Sequence, residues 1–256
     1  MSYLIKYYCT SHIGKCRKTN QDNFCCNTKY LNYDNSGTNG IVEGVMVPSP
    51  QTVFAVFDGM GGEECGEMAA YLAAKELSEF HFEKKLNQDF VVFCKSANTK
   101  ICNYTKEHSL ASMGTTAAIL LFSQKQIGLC NIGDSKIFQF SEGALQQISY
   151  DHVGISVFGR KPPLSQNLGI PESELILSPY VANGKYYNGD IYLICSDGLT
   201  DMLSTSDIEE ILKAKTGASA AKQLLQQALE NGGKDNITFI LLCIEKKKRK
   251  IFSCNK

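Results

Sequence analysis

Apolar runs of strand length recur along this chain, at residues 3–9, 23–28, 53–57, 115–122, 126–132, 136–140, 191–195 and 236–244. Many are rich in β-branched or aromatic residues and close on Gly, Asn or Asp, which marks them as strands. Helical spacing of apolar residues falls in two blocks, 63–79 with 88–106 and 206–214 with 219–230. Thr205 and Ser206 are candidate caps of the third helix, with Glu209 three residues after Ser206. The order is strands, two helices together, a strand-rich middle, two more helices and a last strand. Strict β-α-β alternation is absent, which excludes a doubly wound parallel sheet. An α+β fold of layered, mainly antiparallel sheets flanked by paired helices is the arrangement that buries these faces. No repeat, low-complexity segment or linker divides the chain, so one domain over 1–256 is expected. The polar, turn-rich stretch 29–50 reads as a long loop or hairpin, and 246–256, opening on KKKRK, as a basic, solvated tail.

Composition narrows the function. With 43% hydrophobic and 20% charged residues the chain can bury a large core. Its 26 basic and 26 acidic residues cancel, so no global field draws it to nucleic acid or an anionic membrane. No window reaches the length of a membrane span, and MSYLIKYYCT lacks a secretory apolar stretch, so a cytoplasmic protein is expected. The 11 cysteines are odd in number and contain no C-x-x-C. Cys130, Cys195 and Cys243 lie inside apolar runs, where a thiol acts as a small hydrophobe; reduced core thiols follow. Cys25 and Cys26 point to opposite faces of a strand and cannot share a metal.

The chemistry is concentrated in aspartates that follow apolar strands and neighbour glycines. FAVFDGMGG places Asp58 at a strand mouth and IYLICSDG does the same for Asp197. NIGDS presents Asp134, and GGKDNIT sets Asp235 just before the last strand. A single Asp-Gly is most often a turn residue; the repetition turns the balance toward a metal centre. Carboxylates without His or Cys suit hard divalent cations, Mg2+ or Mn2+, which keep several waters. Gly59, Gly61 and Gly62 let the backbone pass close to a metal or anion before the helix near Glu63. No G-x-x-x-x-G-K-[ST] is present, which disfavours a P-loop enzyme. Upstream, GKCRKTNQDNF offers Arg17, whose fork matches phosphate oxygens, and Asp22.

From Ile13 to Ile244 the chain resembles the protein phosphatase 2C family of metal-dependent Ser/Thr phosphatases. The resemblance lies in GKCRKTNQDNF, VFDGMGG, GTTAAIL, NIGDSKIF, QISYDH, LICSDGLTDML and DNITFI, in family order, with the Met of DGMGG in its bacterial form. It implies a four-layer α-β-β-α sandwich. It assigns Asp58, the Gly59 carbonyl, Asp197 and Asp235 to a central pair of Mn2+ or Mg2+ ions. Asp134, with Asp197, is implied at a third, weaker metal site; Asp22 acts in the outer shell through water, and Arg17 holds the substrate phosphate. Thr115 and Thr116 are read as strand residues supporting the centre. The implied reaction is hydrolysis of phosphoserine and phosphothreonine by a hydroxide bridging the metals, without a phosphoenzyme. The implied partners are phosphorylated proteins and a cognate Ser/Thr kinase or its targets, with the phosphatase itself a monomer.

The sequence departs from that family at three places. Met60 stands where many relatives carry a proton-donating His, leaving His12 and His152 as acids by elimination only, each better read as structural. DHVGISVFGRKPPLSQNLGI is short for the family's flap segment, which predicts a more open site with weaker discrimination. The stretch 29–50 has no assigned role. The alternatives are a regulatory pseudophosphatase, which would be expected to lose a metal aspartate, and a hydrolase of small phosphate esters. A Cys-dependent phosphatase has only the formal C-x5-R match of Cys243 to Arg249, with no glycine to wrap a phosphate.

Overall fold

The computed structural model describes residues 3–60, 65–83, 86–124, 126–156 and 162–247. Gly61, Gly62 and Glu63 of the glycine-rich turn, the tip of the short flap segment at 157–161 and the tail from 248, Arg249 included, lie outside the described residues. The chain opens with β1 (Tyr3–His12), β2 (Asp22–Cys26), β3 (Val42–Met46) and β4 (Thr52–Met60), then the helices α1 (Gly66–Glu79) and α2 (Leu86–Glu107). A strand block follows: β5 (Gly114–Thr115), β6 (Ala117–Phe122), β7 (Ile127–Ile132), β8 (Lys136–Ser141), β9 (Ala144–Gln147), β10 (Tyr180–Gly184) and β11 (Ile191–Cys195). The short α3 (Asp197–Thr200), α4 (Thr205–Ala214), α5 (Gly217–Glu230) and β12 (Ile237–Lys246) complete it.

The strands form two antiparallel sheets, ordered β3-β1-β12-β11-β8-β9 and β10-β7-β6-β4-β2, with β5 continuing β4's partner edge. Both faces of the central strands are buried, which is why their sequences read as continuous apolar runs. In β12, Ile237, Phe239 and Leu241 pack on Ile208, Leu212 and Leu224 of α4 and α5. The alternate residues Ile240, Leu242 and Ile244 face the other sheet, joining Phe54 and Phe122. β4 repeats the pattern: Val53, Ala55 and Phe57 lie under α1 and α2, Phe54 and Val56 between the sheets. Each large side chain buried in this way contributes roughly 1.5–3 kcal/mol. A face of Ala69, Ala70, Ala73 and Ala74, all fully buried, lets α1 pack close on its sheet. The result is the α-β-β-α sandwich.

Four local features differ from expectation. The stretch 29–50 contains β3, which pairs with β1 as the edge of the first sheet. Strands β9 and β10 are edge strands with polar, partly exposed sequences, ALQQ and YVANG, that carry little apolar signal. Asp197 opens α3 instead of ending a strand. The cap of α4 is Ser204, whose Oγ accepts from the Asp207 backbone N–H while the Asp207 carboxylate accepts from that of Ser204. Glu209, expected in that box, instead accepts from the Leu145 N–H at 2.8 Å and ties α4 to β9. None of the described cysteines forms a disulfide, and Cys25 and Cys26 lie in opposite core clusters. No described helix is long and apolar enough to cross a membrane.

Candidate metal and phosphate site

Strands β2 and β4 end together at one rim of the sandwich, with Asp22 directly opposite Asp58. The Asp58 backbone is held on both sides: its N–H donates to Thr116 Oγ1 at 3.0 Å, and its carbonyl accepts from the Thr116 N–H at 2.9 Å and from Thr115 Oγ1 at 3.0 Å. Thr116 Oγ1 also lies 2.6 Å from Ser135 Oγ, so one buried hydroxyl links the Asp58 strand to the residue after Asp134. The two threonines thus fix the Asp58 backbone.

Gly59 follows, where the backbone is so crowded that an added Cβ would lie 2.2 Å from the Gly66 carbonyl and 2.4 Å from that of Gln21. Only glycine lets β4, the loop before β2 and the start of α1 meet there. Gly198 does the same on the other side, since a Cβ would fall 1.9 Å from the Asn236 carbonyl oxygen. That contact seats the first turn of α3, with Asp197, against the loop carrying Asp235. Asn236 then fastens this loop to the one carrying Arg17. Its buried amide donates to the Ile13 and Thr19 carbonyls at 2.9 and 3.0 Å and accepts from the Gln21 N–H at 2.8 Å.

These segments enclose a cavity of about 420 Å³ whose wall includes Asp58, Asp134, Asp197, Asp235, Gly59 and Arg17. All the expected metal ligands and the expected phosphate clamp therefore meet at one place. Arg17 Nη2 donates to Asp235 Oδ2 at 2.6 Å, and that hydrogen bond raises the guanidinium pKa further. Asp22 is different: it is 2% exposed, does not line the cavity, and accepts from Ser196 Oγ at 2.8 Å. Burial pushes its carboxyl up to about 7, against the opposing pull of the Ser196 and Thr238 hydroxyls. Its link to the site runs through Ser196, the neighbour of Asp197.

Neither histidine lines the cavity. His12 Nδ1 accepts from the Gly14 N–H at 2.9 Å, and the buried His152 donates its backbone N–H to Gly133 at 2.9 Å. Burial lowers the pKa of both rings. Met60 does line it, along with Pro162 and Leu164. The last two arrive because the described residues on either side of 157–161 pair with each other: Gly154 N–H donates to the Pro163 carbonyl at 2.7 Å and Ser165 N–H to that of His152 at 2.9 Å. The segment expected to leave the site open forms part of its wall.

Size alone does not choose this cavity. A groove of about 430 Å³ between the edges of β9 and β10 is lined by Gln139, Gln147, Tyr150 and Tyr180 and contains no acidic side chain. The carboxylate cavity fits a hard divalent cation through its donors, which are all oxygen. Among the described residues no three acidic, His or Cys side chains already close around a single point. Mg2+ and Mn2+ do not require such a cage, because water completes their shells.

Four carboxylates and one arginine thus line a single cavity. The family model for protein phosphatase 2C matches residues 44–232, and the chain belongs to that family. Asp58, Asp134 and Asp197 lie inside the matched span; Arg17, Asp22 and Asp235 lie outside it. The chain is 28% identical over 232 residues to the serine/threonine phosphatase stp of Listeria monocytogenes, covering 83% of this chain and 91% of that protein. The crystal structure of the Mycobacterium tuberculosis serine/threonine phosphatase PstP/Ppp superposes with a TM-score of 0.76 at 26% identity, over 94% of this chain and 100% of that one. The catalytic domain of PstP in complex with two manganese ions gives 0.74 at 28% identity, over 95% and 100%.

Proposed function

We propose that this chain is a metal-dependent protein Ser/Thr phosphatase, working as a single catalytic domain and a monomer on phosphoserine and phosphothreonine proteins. The observation that carries the reading is the convergence of Asp58, Asp134, Asp197, Asp235 and Arg17 on one cavity from distant parts of the chain. In this reading Asp58, Asp197, Asp235 and the Gly59 carbonyl hold a pair of Mn2+ or Mg2+ ions, and Asp134 with Asp197 holds a third. Bound there, the cations would supply Lewis-acid chemistry, lowering the pKa of water and offsetting charge on the phosphate oxygens. Arg17, half exposed, turns its fork from Asp235 to the phosphate and orients it for in-line displacement. The oxygen of a water molecule bonds to phosphorus as the P–O bond to the serine or threonine oxygen breaks, and the leaving alkoxide takes its proton from water in the cavity, since Met60 has none to give. Asp22 positions Ser196 and through it the Asp197 turn. The substrates are products of Ser/Thr kinases, and the unpaired thiols suit a reducing, cytoplasmic setting.

The test is hydrolysis of a phosphothreonine peptide and of p-nitrophenyl phosphate, with and without manganese, by the wild type and Asp197→Ala. Turnover of both that is abolished by chelation and reduced at least about a hundredfold in the variant supports the reading. Turnover that survives chelation sinks the metal mechanism; turnover of the small ester alone sinks the protein substrate.

A further inference from the structure

The loop that carries Arg17 and the loop that carries Asp235 also bring together three lysines that the site does not use. Lys15 and Lys18 flank Arg17, and Lys234 directly precedes Asp235; all three are exposed. The two loops interlock, with the Lys15 N–H donating to the Gly233 carbonyl at 2.7 Å and the Asn236 amide pinning the carbonyls of Ile13 and Thr19. The stem of Lys15 lies along Gly233, and that of Lys234 over Gly232. Elsewhere Lys6, Lys100, Lys136 and Lys213 are each paired with a carboxylate, and Arg17 is paired with Asp235. Lys15, Lys18 and Lys234 have no such partner among the described residues. In a chain whose charges cancel overall, a cationic rim adjoins an anionic cavity.

We propose that Lys15, Lys18 and Lys234 select phosphoproteins that carry acidic residues next to the phosphorylated side chain. The inference rests on the phosphatase reading above and adds a substrate class to it. With the phosphate in the cavity, the substrate backbone crosses the rim on the Arg17 side. An aspartate or glutamate there meets unpaired ammonium groups, while a lysine or arginine meets like charge. Screening limits the reach. The Debye length is about 8 Å at physiological salt, and an extended chain advances about 3.3–3.6 Å per residue. The preference is therefore confined to about two residues on either side of the phosphate.

The experiment compares phosphothreonine peptides that differ only at those flanking positions, Asp, Ala or Lys, with the manganese-loaded full chain. Its readout is the ratio of kcat/KM between peptides. The wild type is expected to favour the Asp-flanked over the Lys-flanked peptide by about tenfold or more, mostly through KM. The ratio should shrink as NaCl rises from about 0.05 M to about 0.5 M. Lys15→Gln, Lys18→Gln and Lys234→Gln combined should bring the ratio near unity, and the triple Lys→Glu variant should invert it. If the charge-reversed protein fails to fold, the glutamine variant, checked by its thermal melt, decides. Equal rates on all peptides in the wild type, or a ratio unmoved in the glutamine variant, overturns the proposal while leaving the phosphatase reading intact. No turnover of any peptide or of p-nitrophenyl phosphate takes both down together.

Discussion

The two halves of the cavity are held by different means. On the Asp58 and Asp134 side, strand ends present the carboxylates, and the anchoring comes from ladder hydrogen bonds plus the Thr115, Thr116 and Ser135 hydroxyls. On the Arg17 and Asp235 side, two irregular loops face each other, and the amide of Asn236 joins them. The first half inherits rigidity from a sheet whose core is closed on both faces. In the second, much of the positioning rests on one buried side chain, so it should be the easier half to break. Arg17, the proposed phosphate-binding group, sits on the half where Asn236 and the bond from the Lys15 N–H to the Gly233 carbonyl hold both loops.

The largest effect should follow Asn236→Ala. The substitution leaves the Ile13 and Thr19 carbonyls and the Gln21 N–H without their partner. Unpaired buried groups cost about 1–3 kcal/mol each, and partial access of water brings the sum to about 3 kcal/mol. Denaturant unfolding should show that loss. Turnover should fall by about a hundredfold with a raised KM, because Arg17 and Asp235 lose their register together, and added manganese should not restore it. Full activity at saturating manganese would show that the loops are held by something other than Asn236.

Thr116→Val tests the opposite half with a side chain of the same shape. It removes the acceptor of the Asp58 N–H and the contact with Ser135, but leaves the backbone bond from Thr116 to the Asp58 carbonyl. The expected cost is about 2 kcal/mol of stability. The manganese concentration for half-maximal activity should rise about tenfold, as for changes behind metal ligands, with turnover recovering at high manganese. Rescue by metal here and no rescue in Asn236→Ala would sharpen the distinction between the halves; identical responses would erase it.

The parts visible in the sequence and the parts hidden in it follow the same division. Strands β4, β6 and β12 were legible because both their faces are buried, and Asp58, Asp134, Asp197 and Asp235 because each stands at an element end with a glycine within two residues. Strands β9 and β10 were not, since an edge strand open to solvent needs no apolar run. The role of Asn236 was hidden for another reason: its partner Gln21 is 215 residues away, and only tertiary contact reveals it. Asp22 was expected to act in the outer shell through water; the structure instead buries it behind the wall, against Ser196 and Thr238, which no local pattern connects to it. The proposed metal ligands announce themselves because their chemistry is local; their supports are polar residues indistinguishable in sequence from ordinary turn residues.

Ser196→Ala should have the smallest effect, and one that depends on pH. Ser196 Oγ donates to Asp22 at 2.8 Å and accepts from the Thr238 N–H at 3.1 Å. Burial raises the Asp22 carboxyl to about 7 in the folded protein, from 3.8 as the ordinary value. A raised acid favours the folded state below the ordinary value and loses that contribution as pH climbs through the folded one. The hydroxyl of Ser196 opposes the rise by bonding the charged form, so removing it moves the folded value higher still. With metal chelated, the variant should be less stable than the wild type by under about 1 kcal/mol at pH 5, where Asp22 is neutral in both proteins. The difference should grow by about 1 kcal/mol between pH 6 and pH 9, where the variant keeps only the Thr238 hydroxyl as a side-chain donor to the carboxylate. Urea unfolding at the two extremes measures it. A difference that stays flat with pH would mean that Asp22 does not titrate in this interval and that Ser196 serves only the Thr238 backbone.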